Sequence, residues 1–262
     1  MFMNKLIPFL FLSSFLFSAC NRYYYKPTGI NDPLFTDGGQ VHAAFSGSSQ
    51  EDNNDRSYFT DLQLGYSPIN HLGLLGSYST YAYRPYDKTV TPANAYIAEG
   101  AAGVYGAFGG NKAKMVIDLY AGGGGGSMNS DVNMNLRKLF IQPGIGIRSK
   151  VFDAVANLRF SNIKYSDFDP RGKDSSYLYE HHLVDTISGK SIDKGSYTFY
   201  EPGITVRVGY KFVKAQFQAA FALPVSLVSW HYNGLRFTVG LHFNLEDALA
   251  MGKATKPRNN ED

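Results

Sequence analysis

Beyond residue 38 the chain alternates apolar and polar residues with period two. That pattern restricts it to β-strands with two unlike faces. In residues 235–243, Leu235, Phe237, Val239, Leu241 and Phe243 share one face, and Arg236, Thr238, Gly240 and His242 the other. Residues 152–161 set Phe152, Ala154, Ala156, Leu158 and Phe160 against Asp153, Val155, Asn157, Arg159 and Ser161. The pattern returns in 198–211 and around 113–121. It predicts ten strands, near 39–47, 57–67, 71–83, 95–108, 112–123, 135–148, 152–164, 197–210, 213–222 and 233–243. Most match or exceed the ~9–11 residues with which a tilted strand crosses a bilayer. Pro143 and Pro202 fall inside predicted strands, and either argue against those two strands or imply bulges. The run 122–126, five glycines, is expected to open a loop.

The connections alternate too. Those after strands 2, 4, 6 and 8 are short. Those after strands 1, 3, 5, 7 and 9 run 48–56, 84–94, 124–134, 165–196 and 223–232, and are mostly polar. In an up-and-down antiparallel sheet alternate connections share an end, so all the long loops gather at one end. Outer-membrane barrels have this asymmetry, with short periplasmic turns and longer external loops. The fold expected is all-β: an up-and-down antiparallel barrel of about ten strands over 39–243.

The first nineteen residues read as an export signal. Lys5 precedes the apolar run LIPFLFLSSFLF, which ends in Ser18-Ala19. The run is shorter than the ~20 apolar residues of a spanning helix. Cys20, the single cysteine, follows directly. Leu16-Phe17-Ser18-Ala19-Cys20 resembles a bacterial lipobox, with Phe17 in place of the usual Leu. The resemblance implies acylation of Cys20, with palmitate among the acyl groups, in a Gram-negative cell. Residues 20–38 then form a linker, and 244–262 a polar periplasmic tail with a short helix near 246–251.

Other segments extend the likeness. Leu64-Gly65-Tyr66-Ser67-Pro68-Ile69-Asn70-His71-Leu72-Gly73-Leu74, Arg137 to Gly146, and the stretch from Tyr25-Lys26-Pro27 to Pro33-Leu34-Phe35 resemble uncharacterised outer-membrane β-barrel lipoproteins of the Bacteroidetes type. The resemblance implies a fold and a location, and brings no activity with it. The alternating run ending at Phe243 also resembles the terminal signal read by the outer-membrane assembly machinery. That machinery and outer-membrane lipids are the expected partners.

Period two alone leaves open which face is inside. Apolar residues outside make a membrane barrel; polar residues outside make a soluble, lipidated, lipocalin-like cup for an apolar ligand. Three features favour the membrane. The loops are asymmetric. Tyrosines recur near strand ends, as at Tyr58, Tyr66, Tyr200 and Tyr210. The polar face has few charges, in a chain with 18% charged and 15% aromatic residues. A net charge of +3 without a basic stripe argues against nucleic acid.

In the membrane arrangement Glu99, Asp118, Lys138, Arg159, Glu201 and Arg207 face the lumen, where unpaired charge is costly, so a paired network is expected. Such a network either packs the lumen or lines a narrow pore. His42 and His242 are expected near each other at the periplasmic mouth, as polar plugs or as a pH-sensitive pair. Catalytic signals are thin. No G-x-S-x-G element occurs. An embedded lipid hydrolase would have to use a cluster such as Ser229, Trp230 and His231, yet Trp230 and Tyr232 are expected to anchor at the headgroup level. Glu180, His181, His182 and Asp185 lack the order of a metal loop. No cofactor, metal site or enzymatic activity is expected.

The acylation reading has a direct test. Cys20→Ser should abolish incorporation of labelled fatty acid and leave precursor of unprocessed mass in the mass spectrum.

Overall fold

A computed structural model describes residues 23–52, 55–110, 112–185, 189–210, 212–225 and 228–246. The export signal, Cys20 and the tail from 247 lie outside the described residues. The strands are β1 (Val41–Asp52), β2 (Asp55–Ile69), β3 (Leu72–Arg84), β4 (Ala93–Gly109), β5 (Ala113–Asn129), β6 (Asn133–Ser149), β7 (Phe152–Asp169), β8 (Tyr197–Tyr210), β9 (Val213–Phe221), β10 (Leu223–Pro224) and β11 (Leu235–Asn244). One helical turn, α1 (Ser175–Glu180), lies in the longest loop. β10 continues β9 along β8 in one register, Gly203 facing Ala220 and Tyr200 facing Leu223, so the wall has ten strands. Each pairs antiparallel with its neighbour in sequence. β1 closes the ring against β11, with His42 facing Asn244 and Gly47 facing Val239.

The face question is decided by burial. Phe45, Ile145, Ile204, Val239 and Leu241 are each about half exposed or more, on the outer face. Glu99, Lys138, Arg159, Glu201 and Arg207 are buried inside. A barrel with this arrangement is of the outer-membrane type, and the polar exterior that a soluble cup requires is absent from the described strands.

Several local expectations are corrected. The glycines of 122–126 lie within β5, not in a loop. A Cβ on Gly124 would sit 2.2 Å from the Ala98 carbonyl oxygen, so glycine lets β4 and β5 approach this closely. β1 runs to Asp52, β2 starts at Asp55, β5 runs to Asn129 and β6 starts at Asn133, so most of the loops expected at 48–56 and 124–134 is strand. Pro143 and Pro202 produce no register shift. The β6–β7 ladder omits Gln142 and Pro143 and resumes in the same register at Gly144–Asn157, and Pro202 faces Leu158 directly. The irregularities fall at Tyr66–Ile69 and Asn133–Asn135. Long connections persist at 85–92, 170–196 and 225–234, all at the end opposite the short turns.

The largest departure concerns residues 23–38. They are not an external linker: they run through the lumen. Tyr24, Tyr25, Thr28, Ile30, Asn31, Asp32, Leu34 and Phe35 are all buried. The segment begins at the long-loop mouth, where the Tyr24 amide donates to the His231 carbonyl at 2.8 Å. It reaches the opposite mouth at Gly38, whose amide donates to Asn70 Oδ1 at 2.6 Å in the β2–β3 turn. The reason is dimensional. About eight strands enclose a space that wall side chains can fill, and the diameter grows with strand number. Ten strands leave room for one extended chain.

Outward positions should therefore refuse charge. Ile204→Arg, mid-β8 on the lipid side, is expected to cost ~2–4 kcal/mol. Equilibrium unfolding of the reconstituted barrel measures it, and the exposed, loop-borne Ser175→Arg should leave stability unchanged within about 0.5 kcal/mol.

Candidate functional site

The lumen and its threaded segment form the one elaborated polar site among the described residues. An extended chain enclosed by a barrel has no neighbouring strand to pair with on most of its length, and each buried amide and carbonyl still needs a partner. The wall supplies them from inward side chains. Gln218 accepts from the Ile30 amide at 2.9 Å and donates to the Ile30 carbonyl at 2.7 Å, while Gln63 donates to that carbonyl at 3.2 Å from the other side. Gln142 donates to the Asn31 carbonyl and to Asp32 Oδ1, both at 3.1 Å. Arg207 donates to the Asp32 carbonyl at 2.6 Å, and Arg236 to that of Pro27 at 3.0 Å.

At mid-lumen four charged side chains meet. Arg159 Nε lies 2.7 Å from Glu201, Lys138 3.2 Å from Glu201 and 3.1 Å from Glu99, and Arg159 Nη1 3.6 Å from Glu99. Two acids and two bases cancel, and none of these side chains is more than 3% exposed. The segment completes the cluster. Thr28 donates its hydroxyl to Glu99 at 2.9 Å and accepts from Lys138 at 3.3 Å and Arg159 at 3.0 Å. The Tyr25 hydroxyl and the Ser161 hydroxyl both donate to Glu201. A second pair, Asp61 with Arg236, lies toward the long-loop mouth, and a third, Lys214 with Asp153 at 2.6 Å, toward the short turns.

Two residues expected in the central network lie outside it. Arg207 bonds Gln216 at 2.8 Å and the segment backbone, and Asp118 has an oxygen without a hydrogen-bond partner beside Asn157. Both lie nearer the short turns: Asp118 faces Gly144, and Arg207 faces Asp153, whereas Arg159 faces Glu201. Period two assigns a residue to the lumen but not to a height within it. Asp61, Arg236, Lys214 and the glutamines were not singled out from sequence. Their shared signal was position on the polar parity.

Apolar plugs flank the polar middle. Toward the long loops, Tyr24 and Tyr25 join Met134, Ile163, Phe199 and Trp230. Trp230 is 2% exposed and packs edge-on against Tyr165 and Tyr197, so it seals the mouth and does not anchor at the lipid headgroups. Toward the short turns, Leu34 and Phe35 join Tyr105, Val116 and Val155. His42 and His242 lie there, diagonally related across β1 and β11, with ring centroids 5.2 Å apart. His42 bonds Glu246 at 3.2 Å, and Arg148 bonds Glu246 at 3.0 Å and the Leu34 carbonyl at 3.2 Å. Burial pushes the Glu246 carboxyl up, but its bond to His42 and the Arg148 charge outweigh that and hold it at about 2. In the long loop, His181 stacks on Tyr177 at 4.0 Å between centroids. No cluster of three potential metal ligands occurs among the described residues.

No family model matches the chain, and no curated protein matches it. Among solved structures, the β domain of the Bordetella autotransporter BrkA is similar at 11% sequence identity and a TM-score of 0.30, over 79% of this chain and 99% of that one.

The central cluster should behave as a unit. Arg159→Met leaves two buried carboxylates with one base and is expected to lower stability by ~3–5 kcal/mol. Thr28→Val removes one hydroxyl from the same cluster and should cost ~1–3 kcal/mol. Denaturant midpoints of the folded barrel in micelles measure both, and the double variant should lose less than the sum because the two changes share partners.

Proposed function

We propose that this protein is an outer-membrane β-barrel, acyl-anchored through Cys20, with a structural or interaction role and no open pore. The observation that carries this reading is the threaded segment. Residues 24–35 fill the lumen, bond its inward polar groups and end in an apolar plug at each mouth. A conducting barrel needs a continuous water path, and wide aqueous channels use ~16 or more strands. Here the path is occupied by covalently attached chain.

The outward apolar face and the loop asymmetry support the location, since outer-membrane barrels share both. The lipobox-like run ending at Cys20 supports the anchor. The alternating run of β11 supports insertion by the outer-membrane assembly machinery. The stretch 231–233 holds the segment: the His231 carbonyl accepts from Tyr24, and the Asn233 amide donates to the Tyr25 carbonyl. That supports a docking role for the Ser229–His231 stretch over a hydrolytic one. Exchange with a partner falls to the external loops, of which 170–196 is the longest and carries α1.

Planar-bilayer recording tests the closed lumen. The purified barrel, shown folded by heat-modifiable gel migration, is expected to give no steady unitary conductance. An ohmic channel from the unaltered chain would overturn the reading.

A further inference from the structure

The direction of threading fixes where the anchor emerges. β1 starts at Val41 at the short-turn mouth, yet the chain ahead of it does not leave there. It doubles back at residues 36–40 and runs the length of the lumen, so that Tyr24 lies against His231 at the long-loop mouth. With short turns periplasmic, the long-loop mouth is external. We propose that the acyl chains on Cys20 insert into the outer leaflet, so that the protein is anchored from the cell surface by a segment its own barrel encloses. This rests on the reading of the chain as an acylated outer-membrane barrel.

Reach decides between the leaflets. Three residues, Asn21 to Tyr23, separate Cys20 from Tyr24, and the Cα-to-Cα steps between them span at most about 14 Å even when fully extended. Return to the inner leaflet means crossing a hydrocarbon core of about 30 Å, which a tether of that length cannot do. The lumen offers no way back either, because the segment already fills it. The rim is also lowest where the segment leaves. β11 has 10 residues and the strand made of β9 and β10 runs only from Val213 to Pro224, whereas β4, β5 and β6 have 17 each and β7 has 18. These two strands little exceed the ~9–11 residues that cross a membrane, so their upper edge lies nearer the lipid surface than that of the opposite wall. Tyr25 bridges to Tyr232, three residues ahead of the start of β11, on this low side. Next to it, Leu223 and Val225 are 50% and 66% exposed and present apolar surface at the rim. The short tether to Cys20 therefore starts at the edge nearest the lipid.

Single free thiols test the proposal. Cys20 is the only cysteine, and its acylated form carries no free thiol. Arg22→Cys therefore gives one labelling site in the full-length protein. Ser175→Cys in α1 marks the long-loop end and Lys150→Cys, in the β6–β7 turn, the short-turn end; both positions are exposed. Intact cells are treated with a membrane-impermeant maleimide, and the same cells again after permeabilisation. Arg22→Cys is expected to label on intact cells to the same extent as Ser175→Cys, with Lys150→Cys labelling only after permeabilisation. Arg22→Cys grouping with Lys150→Cys, in protein that retains heat-modifiable migration, would overturn the proposal. Labelling of Arg22→Cys only after unfolding would place that position inside the barrel and overturn it as well. Fatty-acid labelling of the unsubstituted chain tests the underlying reading separately: its absence would remove the anchor while leaving the threading intact.

Discussion

Buried backbone must be hydrogen-bonded, and the segment at residues 23–38 meets that requirement inside a barrel instead of inside a sheet. Its amides and carbonyls are not paired to a neighbouring strand over most of their length. They are met by Gln63, Gln142, Gln218, Arg207 and Arg236, each reaching inward from the wall. Glutamine and arginine suit this because their long side chains carry donors on planar heads that can approach a carbonyl from several heights. The wall is thus written for a peptide guest. The charged quartet makes the same point, since Thr28 of the segment bonds three of its four members.

This dependence runs both ways. Without the segment, Glu99, Lys138, Arg159 and Glu201 would still neutralise one another but would lose Thr28 and Tyr25 as partners in a space that would then have to fill with water. Without the quartet, the segment would retain its apolar ends and lose its middle. Buried charge is weak evidence for stability in itself, because desolvation opposes the Coulombic gain. Its value here is register. Arg236 at the Pro27 carbonyl, the quartet at Thr28, and Arg207 at the Asp32 carbonyl are distinct polar partners at successive heights, and a segment shifted by one residue would present the wrong groups to each.

The glycines of β5 and the length of the wall answer a related problem. Ten strands must curve into a closed ring, and β4 through β7 are long. Gly124 and Gly126 allow the β4 carbonyls to approach within distances that no Cβ would permit. The high wall and the low wall follow from unequal strand lengths, and the low side is where the segment is held by residues 231–233.

The alternating residues of strands such as β7 and β11 determined by themselves that the chain is an antiparallel sheet with one apolar and one polar face, because a period of two has no other regular solution. Loop asymmetry and sparse charge on the polar face pointed to the membrane side, and parity placed Glu99, Lys138, Arg159 and Glu201 in the lumen. Sequence pattern did not set their heights, so Asp118 and Arg207 were expected in a cluster whose level they do not share. Nor did it read the glycine run as strand, since close approach to β4 exists only once the two strands are paired. Residues 23–38 carry Tyr24, Ile30, Leu34 and Phe35, more apolar surface than a solvated linker needs, but they have no period because a lone chain inside a ring presents every side to the wall. Only closure creates that environment, and so only the tertiary structure could decide that a segment resembling a tether is the core.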